Sequence, residues 1–288
     1  MAAGAGSTVD LGSLDGGPVV VFGGPVSNLQ ATRAVLARAR ELSIPAGRVI
    51  CTGDVVAYCA DPEETVRAVR EAGIHVVMGN CEESLGAAAD DCGCNFGAGS
   101  TCEVLAQSWY AYSVKCLSEH SREWMRGLPR RIGFSLGGRT LAAVHGAPSQ
   151  INAWVFPSTS AEDKRRELDL VGTDGVIGGH SGLPFAETVD GRLWLNAGSV
   201  GLPANDGTPR GWYALLRAGD DGLAVELHAL TYDHAAAAAR MREAGLPEGY
   251  EAALRTGIWP SWDILPDAER ARAGTPLPDV QRLHWARV

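Results

Sequence analysis

Asp54, Asn80, His145 and His180 each stand in a glycine-containing run: Gly53-Asp54, Gly79-Asn80, His145-Gly146 and Gly178-Gly179-His180. A carboxylate, an amide oxygen and two imidazoles are donor types that first-row divalent cations accept. Taken singly, each run is an ordinary turn, because glycine lets the backbone reverse or pass close to a neighbour. What the four share is position. Each follows an apolar run of strand length, at 49–51, 75–78, 141–144 and 176–177. In open α/β sheets, side chains at the carboxyl ends of strands converge on one crevice. His75, His120, His228, His234 and His284 have no partner at ligand spacing and read as structural or surface histidines. The chain has no Gly-x-Ser-x-Gly elbow, no P-loop and no Rossmann glycine fingerprint.

The elements that would carry these residues follow from the apolar pattern. Residues 18–22 read as a strand, 28–42 as a helix with Leu29, Val35, Leu36 and Leu42 apolar, and 48–51 as a second strand. Asp61-Pro62-Glu63-Glu64 opens another helix, with Asp61 as N-cap, Pro62 in the first turn and Glu64 at the capping-box position. Residues 74–78 read as the third strand. Strands alternating with helices in this way predict parallel pairing through right-handed crossovers. Residues 84–100 read as a loop, and 102–125 as one long helix whose Trp109, Tyr112 and Trp124 read as core. Strand signals then dominate at 132–136, 140–144, 175–177, 193–196, 212–216 and 223–230, with Gly137-Gly138 as a hairpin turn. Residues 233–244 and 248–256 read as closing helices. Periodicity alone supports an α/β protein, mostly parallel at its start.

The flanks of the four runs are more specific. Gly53-Asp54-Val55-Val56-Ala57-Tyr58-Cys59-Ala60-Asp61-Pro62, Gly79-Asn80-Cys81-Glu82, His145-Gly146-Ala147-Pro148 and Asn196-Ala197-Gly198-Ser199-Val200-Gly201 occur in that order. Together they resemble the motifs of the calcineurin-like metallophosphoesterases, in their small bacterial phosphodiesterase branch. The resemblance covers about residues 18–256 and implies an α/β fold, the four-layer α-β-β-α sandwich of metallo-dependent phosphatases. It also implies two metal sites bridged by the aspartate of Gly-Asp. Carried over residue by residue, one site is complete: Asp54, Asn80, His145 and His180 would be its ligands and its catalytic residues. The other site is not. The family's Asp-x-His-Gly-Asn is Gly24-Pro25-Val26-Ser27-Asn28 here, and its Gly-His-x-His is Gly179-His180-Ser181-Gly182. The missing ligands fall at Gly24, Val26 and Gly182, all on one site, which points to selective loss of one metal.

The expectation is therefore one divalent transition metal (Mn, Fe, Zn or Ni), with a second metal in doubt. A lone cation can acidify bound water and polarise a phosphoryl oxygen, but it cannot clamp both attacking and leaving oxygens as a pair does. Candidates for the surroundings or for substrate contact are Asn28, Cys81, Glu82 and Arg139, with Arg210 as another cation; surface positions are the ordinary alternative for the charged ones. Cys92, Cys94 and Cys102 could form an extra thiolate site, although Cys92-Gly93-Cys94 lacks the CxxC spacing of structural zinc, and reduced buried thiols are the ordinary alternative.

With 288 residues and 45% hydrophobic content, the chain can bury a large core. Its expected organisation is a flexible Gly/Ala/Ser-rich leader over 1–17, one domain over 18–256, and a Trp- and Pro-containing tail over 257–288. The tail could wrap the surface or cross to a neighbouring subunit in a homo-oligomer. A net charge of −9 argues against nucleic acid or an anionic membrane as main partner. The start lacks the basic and apolar segments of a signal peptide, and seven cysteines do not suggest a disulfide scaffold, so a cytoplasmic location is expected.

The leading expectation is a single-metal phosphoesterase that hydrolyses a small phosphomonoester or phosphodiester through metal-bound hydroxide. Two histidines and a carboxylate also describe ferrous oxygen chemistry on a sulfur- or metalloid-containing substrate. A non-catalytic metal- or ligand-binding protein is the third reading.

Overall fold

A computed structural model of the chain describes residues 7–286. Residues 1–6 of the expected leader lie outside the described residues. The rest of that segment departs from the expectation, because Thr8–Ser13 is a strand, β1, paired in parallel with residues 131–135. Its side chains are mostly exposed, so backbone pairing holds it and no apolar pattern announces it.

Val19–Phe22 (β2) is buried along its length because both faces are covered. Val19 and Val21 enter one core, Val20 and Phe22 the other, as the two-residue strand period dictates. Helix α1 (Leu29–Glu41), β3 (Val49–Cys51), α2 (Pro62–Glu71) and β4 (His75–Val76) complete the expected β-α-β-α-β opening, with β2, β3 and β4 parallel. Asp61 makes no side-chain cap on α2; its carboxylate binds Arg240 at 3.2 Å instead.

The segment expected as a loop over 84–100 begins inside a helix, α3 (Asn80–Ala87). The long helix expected over 102–125 is two, α4 (Thr101–Cys116) and α5 (Glu119–Arg126). Leu117 is extended, and the Ser118 hydroxyl caps the new helix by accepting from Ser121 N, which breaks the run.

Strands β5 (Arg131–Leu136) and β6 (Arg139–Ala143) form the expected hairpin; Gly137 and Gly138 both adopt positive φ. Then follow α6 (Ala161–Val171), β7 (Gly175–Gly178), β8 (Phe185–Val189), β9 (Arg192–Asn196), β10 (Gly211–Gly219), β11 (Gly222–Leu230), α7 (His234–Glu243), α8 (Glu248–Thr256), α9 (Asp267–Arg270) and β12 (Val280–Ala286).

Two six-stranded sheets result, in the orders β1-β5-β6-β7-β9-β8 and β12-β11-β10-β2-β3-β4. Between them lie Val19, Val21 and Ile50 from one sheet and Leu141, Ile177 and Leu195 from the other. The outer face of the second sheet packs Val20, Phe22 and Val49 against Val35 of α1, Val66 of α2 and Met241 of α7. The outer face of the first packs Val176 and Trp194 against Leu168 of α6. These are the four layers of an α-β-β-α sandwich.

The segment from 257 onward is built into this body. Trp259 and Leu265 are buried in the helix-side core, and β12 pairs with β11 from Gly222 to His228, bringing Trp285 between the sheets. Single aromatic anchors and backbone pairing hold this segment, neither of which leaves a periodic signal.

Candidate metal centre

The four candidate ligands arrive from four strand ends. Asp54 follows β3, Asn80 opens α3 just after β4, His145 follows β6 and His180 follows β7. A parallel bridge between Gly23 and Ser199 joins the two sheets beside them. Gly53, at φ +100°, turns the chain so that Asp54, itself at φ 37°, faces Gly79. A Cβ on Gly79 would lie 2.3 Å from Asp54 Oδ1, so only glycine admits the carboxylate there. The His145 carbonyl accepts from Gly179 N (2.8 Å) and His180 N (3.0 Å), which ties the two histidine loops together.

His145 is the hub. Its Nδ1 lies 2.7 Å from the Thr52 carbonyl, which assigns the proton to that nitrogen and turns Nε2 towards the centre. Around Nε2 lie Asn80 Oδ1 at 3.0 Å, His180 Nδ1 at 2.9 Å and Asp54 Oδ2 at 3.3 Å. Asp54 Oδ2 is 4.0 Å from His180 Nδ1. Lone-pair atoms of a carboxylate, an amide and two imidazoles thus converge at hydrogen-bond distance. Such a group repels itself unless a cation or proton sits among them, and its composition fits a divalent transition metal. The Asp54, His145 and His180 donor atoms all lie within 4.8 Å of one another.

The electrostatics agree with a buried charge cluster. Burial opposes ionisation of Asp54, but the His145 charge and hydrogen bond outweigh it and hold the carboxyl below its usual range. Burial would lower His145, and Asp54 reverses that, leaving it raised. His180 is pushed down to about 3 by burial, with His145 adding to the effect.

Of the expected surroundings, Glu82 and Cys81 are in place. Fully buried Glu82 accepts from Gly79 N (3.0 Å) and Val56 N (3.2 Å), clamping the Asn80 loop to the Asp54 loop. Burial, with the Asp54 charge next, pushes its carboxyl up to about 8. Cys81 N donates to Asp54 Oδ1 at 3.3 Å. The Asn80 amide nitrogen donates to the Cys92 carbonyl (2.8 Å) and the Cys94 thiol (3.3 Å).

Four expectations are corrected. Asn28 contacts no site residue among those above: its Oδ1 caps α1 at Ala31 N, and its Nδ2 donates to the Gly201 carbonyl and Tyr232 hydroxyl. Arg139 begins β6, whereas the candidate ligand His145 follows its end; the guanidinium lies over Trp285 and donates to the Ala286 carbonyl. Arg210 is likewise held elsewhere, by Asp206 and Asp279. Cys102 does not join Cys92 and Cys94. The thiol cluster is Cys81, Cys92 and Cys94, with Cys94 in reach of both others, while Cys102 lies near Ser261 on the cleft wall.

The positions of the missing ligands line the cleft, beside Ser199 and Trp259. Gly24, at φ +47°, has Ser199 Oγ 2.7 Å from where a Cβ would stand. Gly182, at φ +67°, faces Trp259, whose indole nitrogen donates to the Pro203 carbonyl at 2.6 Å. Val26 keeps φ 45° because the loop is zipped to its neighbour through Gly24 N, Val26 N and Ser27 N, donating to the carbonyls of Gly53, Asp54 and Val55.

The cleft beside the centre also contains Trp154, whose ring lies 4.0 Å from that of His180. Trp154 and Trp259 were not legible as site residues, since each lies in an irregular segment without a periodic pattern. The proximity of Trp154 to His145-Gly146 in sequence is the one available signal.

A two-sheet α/β sandwich with a divalent-metal constellation at its strand ends is the architecture of a metallophosphoesterase. The chain belongs to the calcineurin-like phosphoesterase superfamily, whose domain model matches residues 27–221. It is 28% identical over 240 residues to an uncharacterized protein of Methanocaldococcus jannaschii, covering 77% of this chain and 90% of that one. A metallophosphoesterase from Sphaerobacter thermophilus superposes with a TM-score of 0.64 at 25% identity, covering 84% and 99% of the two chains. A hypothetical protein from Pyrococcus horikoshii OT3 reaches 0.71 at 20% identity with the same coverage, a likeness of fold. Among the described residues, no helix is long and apolar enough to cross a membrane.

Proposed function

We propose that this protein is a single-metal phosphoesterase acting on a small phosphate ester. The observation that carries the reading is the convergence of Asp54, Asn80, His145 and His180 lone pairs on one point, beside a neighbouring position bounded by Ser199 and Trp259. Those four residues would hold the ion. A divalent cation there supplies charge to polarise a phosphoryl oxygen and to acidify water.

The chain's own groups do the rest. The Thr52 carbonyl fixes the His145 ring, and Glu82 fixes the two loops carrying Asp54 and Asn80. Ser181 accepts from Asn196 Nδ2 at 2.9 Å and keeps its own hydroxyl proton to donate at the cleft wall. Without a second cation to stabilise the departing oxygen, esters with good leaving groups are favoured.

Protein purified without added metal tests this. The expected result is one transition-metal ion per chain and hydrolysis of aryl phosphate esters, with both lost in Asp54→Asn and His145→Ala. Loss of the ion with hydrolysis intact would overturn the proposal.

A further inference from the structure

Three cysteines stand behind the candidate metal centre and are not ligands in the phosphoesterase reading. Cys81 lies in the first turn of α3, and Cys92 and Cys94 face inward from the loop that follows it. All three are buried free thiols, while their loop neighbours Asp91 and Asn95 are exposed. The sulfurs therefore sit one loop below the surface. Cys94 is the middle of the group, its thiol within hydrogen-bond reach of the Cys81 thiol and of the Cys92 thiol. Residues outside the loop pin it there. Tyr110 Oη donates to the Ala89 carbonyl (2.9 Å), Asn152 Nδ2 to the Gly93 carbonyl (2.7 Å) and Asn80 Nδ2 to the Cys92 carbonyl (2.8 Å).

We infer that Cys94, with Cys81 and Cys92 at its sides, forms a binding site for the soft monovalent cation Cu(I), separate from the divalent site. This second site would exist whether or not the cleft hydrolyses phosphate esters.

Donor type narrows the ion first. Thiolates select Cu(I), zinc and iron–sulfur clusters over the hard cations that oxygen ligands take. Zinc in a structural site takes four ligands in a tetrahedron, and iron–sulfur clusters are held by four cysteines. Here there are three sulfurs, and they do not close on one point. Among the described residues, the three-donor group whose atoms all lie within 4.8 Å of one another is Asp54, His145 and His180. An open arc about Cys94 suits an ion that two sulfurs can hold in line, as Cu(I) can be held, with the third thiol beside it.

The surroundings favour the same ion. A buried, water-poor pocket protects Cu(I) from oxidation, because the shell around a metal controls solvent access and redox potential. Asn80 supplies what ligating sulfurs need. Its amide nitrogen lies 3.3 Å from Cys94 Sγ and 3.6 Å from Cys81 Sγ, so one side-chain donor is aimed at both. Hydrogen bonds to ligating sulfur tune metal–thiolate sites. The same amide turns its oxygen to the divalent centre, so it separates the two sites and touches both.

The test uses full-length protein, reduced, kept anaerobic and incubated with Mn(II), a hard cation, before titration with Cu(I) against a chromophoric Cu(I) chelator. The expected result is one Cu(I) per chain withheld from the chelator, with only sulfur neighbours in its X-ray absorption spectrum. Cys94→Ser should lose the withheld copper, whereas Cys116→Ser, at the exposed end of α4, should keep it. His145→Ala should also keep it. If no copper is withheld, the three cysteines are ordinary buried thiols and the inference falls. Nitrogen neighbours around the copper, or retention by Cys94→Ser with loss in His145→Ala, would place the copper at the imidazoles and overturn it equally. The absorption spectrum is read on the unaltered chain, so it decides the matter even where Cys94→Ser does not fold. Sulfur-bound copper in a protein that hydrolyses no phosphate ester would leave this site standing and remove the phosphoesterase reading. Hydrolysis without copper binding would do the reverse.

Discussion

The side-chain amide of Asn80 is held from behind by Cys94: its nitrogen donates to the Cys94 thiol at 3.3 Å while its oxygen faces His145 Nε2 at 3.0 Å. A neutral thiol is a weak acceptor, and burial keeps Cys94 well above the usual thiol range, so the sulfur stays uncharged beside the centre. The contact orients the amide oxygen, the weakest donor of the four. Cys94→Ala should therefore lower affinity for the ion by about tenfold, the low end of what partners behind metal ligands contribute. Competition with a chromophoric chelator measures this, and Cys102→Ala, on the cleft wall, serves as the comparison. Equal losses in the two variants would remove any special role for Cys94.

The acid side of stability has a separate source. Glu251 in α8 is buried and paired with Arg255 on its own helix and with Arg242 at the end of α7. The Arg255 hydrogen bond is the leading cause that holds its carboxyl below the ordinary glutamate value. A depressed folded value means the unfolded chain takes up the proton first as pH falls. The contribution is thus fully present above the unfolded value near 4.5 and is lost as pH falls through the folded value. Glu251→Gln should lower Tm by a few degrees at pH 7, with the difference shrinking towards zero as pH is taken below about 4. Thermal unfolding across pH 3 to 7 checks it; a constant difference would mean that packing, not the charge, is responsible.

Legibility in the sequence tracked the physical nature of each contact. The four candidate ligands were legible because glycine must flank them: Gly79 sits where any Cβ would strike Asp54. The buried strands were legible because Val19 to Phe22 is covered on both faces. β1 and β12 were not, since their contribution is backbone pairing by mostly exposed residues. Arg139 misled because charge type says nothing about which end of a strand a residue occupies, and it begins β6 while the site lies past its end. Cys81 was read through the Gly-Asn-Cys run and Cys102 through its nearness in sequence to Cys94. Only the fold shows that the 88–100 loop returns Cys92 and Cys94 to Cys81 and leaves Cys102 on the next helix.

The C-terminal segment offers a direct test of its place in the fold. Trp285 is buried between the sheets, its indole nitrogen donates to the Gly191 carbonyl at 2.8 Å, and Arg139 covers its ring. Trp285→Ala should cost about 3–5 kcal/mol in global stability, the usual range for emptying a buried tryptophan site. Urea denaturation measures it. A loss below about 1 kcal/mol, with the midpoint unmoved, would mean that β12 is dispensable to the domain.

Restoring the missing ligands should not by itself restore a second ion. Gly24→Asp, Val26→His and Gly182→His would supply the donor types that the family's other site uses. Yet Gly24 sits at φ +47° with Ser199 Oγ 2.7 Å from its would-be Cβ, so an aspartate there is both strained and crowded. A histidine at Gly182 starts 3.8 Å from the Trp259 ring, which its hydrogen bond to Pro203 holds in place. The triple variant is expected to keep one ion per chain by elemental analysis and to lose stability. Adding Trp259→Ala enlarges the space beside Gly182 that the ring bounds and should raise the stoichiometry above one. If the triple variant alone binds two ions, Trp259 does not occlude the position, and the loss of the second metal would lie in the ligands alone. The outcome matters for mechanism, because a ring that bounds this position with no second ion beside it would turn one half of the crevice from a charge clamp into an apolar wall.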